Sequence, residues 1–155
     1  MRKPSNLARS PALNARALIA AATKARQFAV APYSHFHVGA AILTTSGKII
    51  TGANVESASY GLTCCAERVA LFNALTQGER AFSGIAVVAA TPGGPMPCGA
   101  CRQLLAEYAP RATVWIADSR CPTRIRQFSV AQLLPKPFVL ARVGPARSRP
   151  TSRPQ

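Results

Sequence analysis

The chain has 155 residues, 48% of them apolar and 15% charged, which supplies one domain with a hydrophobic core and excludes a disordered or solvating protein. Nineteen Lys and Arg face five acids, a formal +14 that raises nucleic acid or an acidic surface as a partner. Ten of the nineteen lie from Arg102 onward and six before Gln27, so the charge gathers toward the ends and nucleic acid is not the favoured partner.

Residues 1–10 read as an extension with three basic residues, faintly like an organelle transit peptide, since no acid precedes Glu56. Residues 11–140 read as the folded domain. Ser10 is a cap followed by Pro11, and the spacing of Leu13, Ala17, Ala20, Ala21 and Phe28, with Leu18 beside them, predicts a helix from Pro11 to Ala29 that packs through small residues. Val38 to Thr45 and Lys48 to Ala53 read as strands of a hairpin joined at Ser46-Gly47, and Asn54 to Thr63 as a loop. A second helix is expected from Cys64 or Cys65 to Gly78, with Val69, Ala70, Phe72, Asn73 and Leu75 on its packed face. Gly84 to Ala90 is a buried strand, and Thr91 to Pro97, with its prolines and glycines, an irregular loop. Cys98 to Tyr108 is a third helix, with Leu104, Leu105 and Tyr108 on one side, and Ala112 to Ala117 another strand. Helices and strands thus alternate in a single α/β domain. Residues 141–155, rich in Pro, Arg and Ser, are expected to form a disordered basic tail.

Five cysteines without a secretory signal argue for a reducing compartment and for metal or catalytic use. No apolar run reaches the length of a membrane span, so a soluble cytoplasmic protein is expected. Cys98 and Cys101, spaced C-x-x-C, bring two sulfurs together on the first turn of a helix, and Cys65 sits at the start of another. Helix N-termini favour thiolates, so two helix starts aimed at one point make a metal pocket. A C-x-x-C pair alone reads equally well as a redox pair or two core thiols. The proline-rich loop before it and a second cysteine tied to Glu67 favour a zinc site with a position left for water. A carboxylate that takes and returns a proton beside such a metal contributes about 100- to 10,000-fold in rate.

Cys65-Ala66-Glu67-Arg68 followed by Pro97-Cys98-Gly99-Ala100-Cys101-Arg102 resembles the signature of the zinc nucleoside deaminases. Tyr33-Ser34-His35-Phe36-His37-Val38-Gly39-Ala40, Asn54-Val55-Glu56-Ser57-Ala58-Ser59-Tyr60-Gly61 and Leu133-Leu134-Pro135 extend the resemblance to the small homotetrameric cytidine deaminases, from about Leu13 to Phe138. It implies a three-layer α/β/α fold with a mixed central sheet, a homotetramer with sites shared between subunits, and one zinc ion per subunit. It makes Cys65, Cys98 and Cys101 the zinc ligands and Glu67 the proton carrier in hydrolytic deamination of cytidine and 2′-deoxycytidine at C4. Asn54 and Glu56 would hold the ribose hydroxyls, Phe36 would wall the base, backbone groups at Ala66 and Cys98 would hold it, and Phe138 would reach a neighbouring site.

Three thiolates on one zinc leave net negative charge, so Arg68, aided by Arg102, is expected to hydrogen-bond cysteine sulfur and withdraw part of it. Cys64 is read as a packing residue and Cys121 as a free thiol in a loop. Alternation in an extended segment would put His35 and His37 opposite Phe36, as structural or solvated residues. The basic stretch with Arg120, Arg124 and Arg126 departs from the family's pattern and leaves room for an extra binding role. The rival readings are an antibiotic or polynucleotide-editing deaminase and a non-catalytic zinc module for nucleic acid; Asn54-Val55-Glu56, as a holder of free ribose, argues against both deaminase rivals.

Overall fold

Side chains of a strand point alternately to the two faces of its sheet, and a sheet covered on both sides must be apolar on both. β1 (Val38–Thr44), β3 (Phe82–Ala89) and β4 (Thr113–Asp118) meet that demand with nearly unbroken burial. Ala40, Ile42, Ile85, Val87, Val114 and Ile116 enter one core cluster, while Ala41, Leu43, Ala86, Val88, Trp115 and Ala117 enter the other. The computed structural model describes residues 11–140 and completes the sheet with β2 (Ile49–Ala53) and β5 (Arg126–Ser129). The strand order is β2-β1-β3-β4-β5. The β3–β4 pair is parallel and the β1–β2, β1–β3 and β4–β5 pairs are antiparallel, so the sheet is mixed.

α1 (Pro11–Ala25) covers one face through Ala15, Leu18, Ile19 and Ala22. α2 (Ala66–Thr76), α3 (Gly99–Tyr108) and α4 (Val130–Leu133) cover the opposite face. This is the three-layer α/β/α arrangement that the resemblance implied. Each fully buried Leu or Ile in these layers contributes about 1.5–3 kcal/mol of transfer free energy.

The register places the chemistry at one edge of the sheet. Val38 at the start of β1 pairs with Ala89 at the end of β3, Ala89 pairs with Asp118 of β4, and Gly39 pairs with Ala53 at the end of β2. The segments leaving that edge carry Phe36, Asn54, Glu56, Cys65 and Cys98.

Several expectations change. The first helix is α-helical only to Ala25 and continues as a 3-10 turn, Arg26–Phe28. Its buried face is Ala15, Leu18, Ile19, Ala22 and Ala25, while Ala20 is exposed and Phe28 is 73% exposed. Alanines all round this helix leave its phase unmarked, so the sheet chooses the face. In α2 the inward residues are Ala66, Glu67, Ala70, Leu71 and Ala74; Phe72 and Asn73 point out. Leu105 is buried in α3 but Tyr108 is exposed. His35 has φ 56°, so the segment turns there and strict alternation about Phe36 does not hold; His35 is exposed and His37 half-buried. β5 and α4 were not expected. A Ser129–Gln132 capping box, with Gln132 N–H donating to Ser129 Oγ at 3.1 Å and Ser129 N–H to Gln132 Oε1 at 2.7 Å, secures the short helix. The predicted extension 1–10 and disordered tail 141–155 lie outside the described residues.

Candidate active site

Cys65 is the N-cap of α2 and Cys98 the N-cap of α3, both with extended backbone and neither with a side-chain cap bond, so both sulfurs are free for other partners. Cys101 lies in the first turn of α3 and is buried. The Sγ atoms of Cys65 and Cys98 are 3.8 Å apart, those of Cys98 and Cys101 3.6 Å, and all three lie within 4.8 Å of one another. Zinc bound tetrahedrally with Zn–S of about 2.3 Å requires sulfurs about 3.8 Å apart, which the Cys65–Cys98 and Cys98–Cys101 separations match, so the donor set suits that ion.

The electrostatics favour the same use. The Cys101 thiol, aided by Cys98 and Arg68, holds the Cys65 thiol down to about 5 against the opposing effect of burial. Cys101 is pushed well up, chiefly because it shares its proton with Cys65 and because it is buried. The cluster therefore concentrates negative charge on the sulfur nearest Arg68. Arg68 Nη2 donates to Cys65 Sγ at 3.9 Å and to the Thr63 carbonyl at 2.5 Å. Its Nε–H is buried without a partner, an orphaned donor beside the sulfurs that a negatively charged metal–thiolate cluster would offset. Arg102 does not join it. Its Nε donates to the Pro97 carbonyl at 2.7 Å and its Nη1 to the Leu133 carbonyl at 3.2 Å, which ties α3 to the end of α4.

Glu67 follows Ala66 in the first turn of α2 and is only 6% exposed. Burial pushes its carboxyl up to about 7, the range in which a group takes and returns a proton at neutral pH. Ala66 itself is fully buried.

The predicted ribose-binding residues are placed by loop contacts. Asn54 is buried; its Oδ1 accepts from Val38 N–H at 2.8 Å and its Nδ2 donates to the Phe36 carbonyl at 2.9 Å. The amide thus holds the segment on which Phe36, 43% exposed, is carried, and keeps one N–H and one lone pair free. Glu56 Oε2 accepts from Tyr33 N–H at 2.9 Å and Ser34 N–H at 3.2 Å, and its Oε1 accepts from Ser34 Oγ. The Ser34 hydroxyl in particular holds the Glu56 carboxyl below its usual range. Around it lies a cleft of ≈ 350 Å³ lined by Tyr33, Ser34, Glu56, Ser57, Tyr60 and Thr63, small for a ligand pocket, which typically spans about 300–1,000 Å³. Thr63 joins this cleft to the sulfurs, since its carbonyl receives Arg68.

Phe138 is 72% exposed, and its backbone is fixed to α3. Gln103 Nε2 donates to the Phe138 carbonyl at 2.8 Å and Phe138 N–H donates to Gln103 Oε1 at 3.1 Å. Sequence reasoning assigned no role to Ser34, Tyr33 or Gln103, because their partners stand more than twenty residues away, nor to Thr63, whose carbonyl receives Arg68 and whose hydroxyl receives Ser57 N–H. Cys64 is half-buried, and its backbone pairs with Val55 at 2.8 and 3.0 Å. Cys121 is exposed, and all five cysteines are unpaired.

A sulfur triplet on two helix starts beside a buried glutamate is also what comparison with known proteins points to. The family model described as the cytidine and deoxycytidylate deaminase zinc-binding region matches residues 13–117. A cytidine deaminase of Halalkalibacterium halodurans is 50% identical over 122 residues, 78% of this chain and 91% of the relative. One from Sporosarcina psychrophila is 46% identical over 121 residues, 78% of this chain and 88% of the relative. The crystal structure of cytidine deaminase from Burkholderia pseudomallei superposes with a TM-score of 0.75 at 50% identity, covering 79% of this chain and 97% of that one. The match spans both cysteine-bearing helix starts and the strands between them, and the chain belongs to the cytidine and deoxycytidylate deaminase zinc-binding family.

Proposed function

We propose that this chain is a zinc-dependent deaminase that hydrolyses cytidine and 2′-deoxycytidine to the corresponding uridines with release of ammonia, in pyrimidine salvage. The observation that carries the reading is the juxtaposition of three thiols at zinc-like spacing with Glu67, a carboxyl that burial tunes to near neutrality. Cys65, Cys98 and Cys101 are the residues that would hold the ion. Bound there, zinc supplies Lewis acidity that lets water lose a proton near neutral pH.

The remaining work falls to side chains of the protein. Glu67 accepts the proton of the attacking water, delivers it to N3 of the ring, and passes a second to the departing amine. Its burial keeps bulk water from competing for that proton. Arg68 draws charge from the Cys65 sulfur, which keeps the cluster from becoming too electron-rich to acidify water. Glu56, fixed by Tyr33 and Ser34, accepts from the ribose hydroxyls, and the free N–H of Asn54 donates to them. Phe36 walls the base, and backbone groups at Ala66 and Cys98 meet its polar edge.

The active form is a homotetramer in which subunits share sites. Tyr33 and Tyr60 line the Glu56 cleft while 57% and 85% exposed, and Leu62, Phe28 and Phe138 are more than two-thirds exposed, an apolar surface that supports association with further copies. Residues 11–140 act as the catalytic domain, between an N-terminal extension and a basic tail. The cytoplasm is the proposed site of action, supported by five unpaired cysteines; no helix among the described residues is long and apolar enough to cross a membrane.

Incubating purified protein with cytidine and following the fall in ultraviolet absorbance tests the activity. Steady conversion of cytidine and deoxycytidine is expected. Zinc-loaded, folded protein that leaves both unchanged but binds RNA tightly and salt-sensitively would replace this reading with a nucleic-acid module.

A further inference from the structure

We propose that Gly52 is a positioning residue of the metal site: its missing side chain seats the first turn of α2 directly on the sheet and so sets the distance from Cys65 to the Cys98–Cys101 pair. The inference rests on the reading of those cysteines as zinc ligands and adds a residue that carries no donor atom.

Gly52 is buried in β2, opposite Ala40 of β1. A Cβ at this position would lie 2.4 Å from the Ala70 nitrogen, 2.8 Å from the Ala66 carbonyl oxygen and 2.9 Å from the Val69 carbonyl carbon. All three are helix backbone atoms, so no side chain can swing aside to make room. Restoring ordinary contact of about 3.5 Å separates strand and helix by about 1 Å.

Ala66 is bonded to Cys65, so the contact lies at the ligand itself. Cys98 and Cys101 ride on a different helix, which starts from the loop after β3. A displacement of α2 therefore moves one sulfur against the other two. The Cys65–Cys98 separation of 3.8 Å already matches the ion, and metal–ligand distances tolerate only about 0.2 Å of error. Glu67, on the same turn, would move with Cys65. The alanines at 66, 70 and 74 on the inward face of α2 fit the same requirement, because larger residues would lift the helix from the strand.

Gly84 provides the control. A Cβ there would meet the Trp115 ring at 2.3 Å, an equally close approach although to a side chain, at the start of β3 and so at the end of the sheet away from the sulfurs. The experiment compares full-length wild type, Gly52→Ala and Gly84→Ala, each checked for folding by circular dichroism. Zinc affinity is measured by competition with a chromophoric chelator, and the sulfur-to-metal absorption of the cobalt(II)-loaded protein is recorded. Gly52→Ala is expected to bind zinc about 10- to 100-fold more weakly with a changed cobalt spectrum, the loss typical when supporting contacts of a metal site are disturbed, while Gly84→Ala stays within about twofold of wild type. Wild-type affinity in Gly52→Ala would mean that the edge strand β2 yields instead of α2 and would overturn the inference, as would an equal loss in Gly84→Ala. Should wild type bind no zinc, the reading of the cysteines falls with it. Should Gly52→Ala not fold, hydrogen exchange in wild type decides: zinc should slow the Ala70 amide and leave Gly84 unchanged, and equal exchange of Ala70 with and without zinc would overturn the inference.

Discussion

Replacing Gln103 with Ala removes no residue proposed to touch zinc or substrate, yet the structure predicts a measurable loss. The carboxamide makes two hydrogen bonds to the backbone of the exposed Phe138, at 2.8 and 3.1 Å. Hydrogen bonds contribute about 0.5–1.5 kcal/mol each, and exposed ones fall in the lower half, so the pair is worth about 1–2 kcal/mol. If Phe138 completes a neighbouring site, as proposed, loosening it lowers kcat/KM about 5- to 30-fold, since 1.4 kcal/mol is a factor of ten. The loss should appear mainly in KM, with zinc content unchanged. The assay is cytidine turnover in a double-mutant cycle with Phe138→Ala. If Gln103 acts through Phe138, the double variant is no worse than Phe138→Ala alone. Full activity in Gln103→Ala, or losses that add completely, would refute the reasoning.

Glu67→Gln keeps size and burial but removes the proton acceptor, so turnover should fall about 100- to 10,000-fold with zinc retained, as read by kinetics and metal analysis of the same sample. Arg68→Gln should lower kcat about tenfold or more with smaller change in KM, because it alters the charge on Cys65 and not the substrate cleft. Cys98→Ser should cost both zinc and activity, measured by elemental analysis, whereas Cys121→Ser, in the exposed turn after β4, should cost neither. Asn54→Ala strands the Val38 N–H and the Phe36 carbonyl, and chemical denaturation should show a loss of about 1–3 kcal/mol per buried group left unpaired.

The cysteine cluster was legible because its chemistry is local: C-x-x-C fixes two sulfurs on one helical turn, and Cys65-x-Glu67 fixes a third sulfur beside the carboxylate. The three central strands were legible for the same reason, as apolar runs between turn residues. Helix faces were not. In α1 and α2 the packed surface is mostly alanine, which marks no phase, and the close approach at Gly52 forbids the large residues that would mark one. Phe72 and Phe28 therefore drew attention to faces that point outward. β5 carries Arg126 and Gln127 on an edge and exists because β4 offers it a partner, a signal absent from its own residues. α4 did leave one, the Ser129-x-x-Gln132 capping box, in a helix too short to show a period. The Glu56–Ser34 and Gln103–Phe138 contacts span 22 and 35 residues and required the fold.

X-ray absorption at the zinc edge, recorded on protein whose cytidine turnover has just been measured, tests the central claim most directly. The account predicts one zinc per chain with three sulfurs at about 2.3 Å and one lighter scatterer, and turnover that disappears with chelation and returns with zinc. Four sulfurs around the ion, or undiminished turnover in metal-free protein, would contradict it.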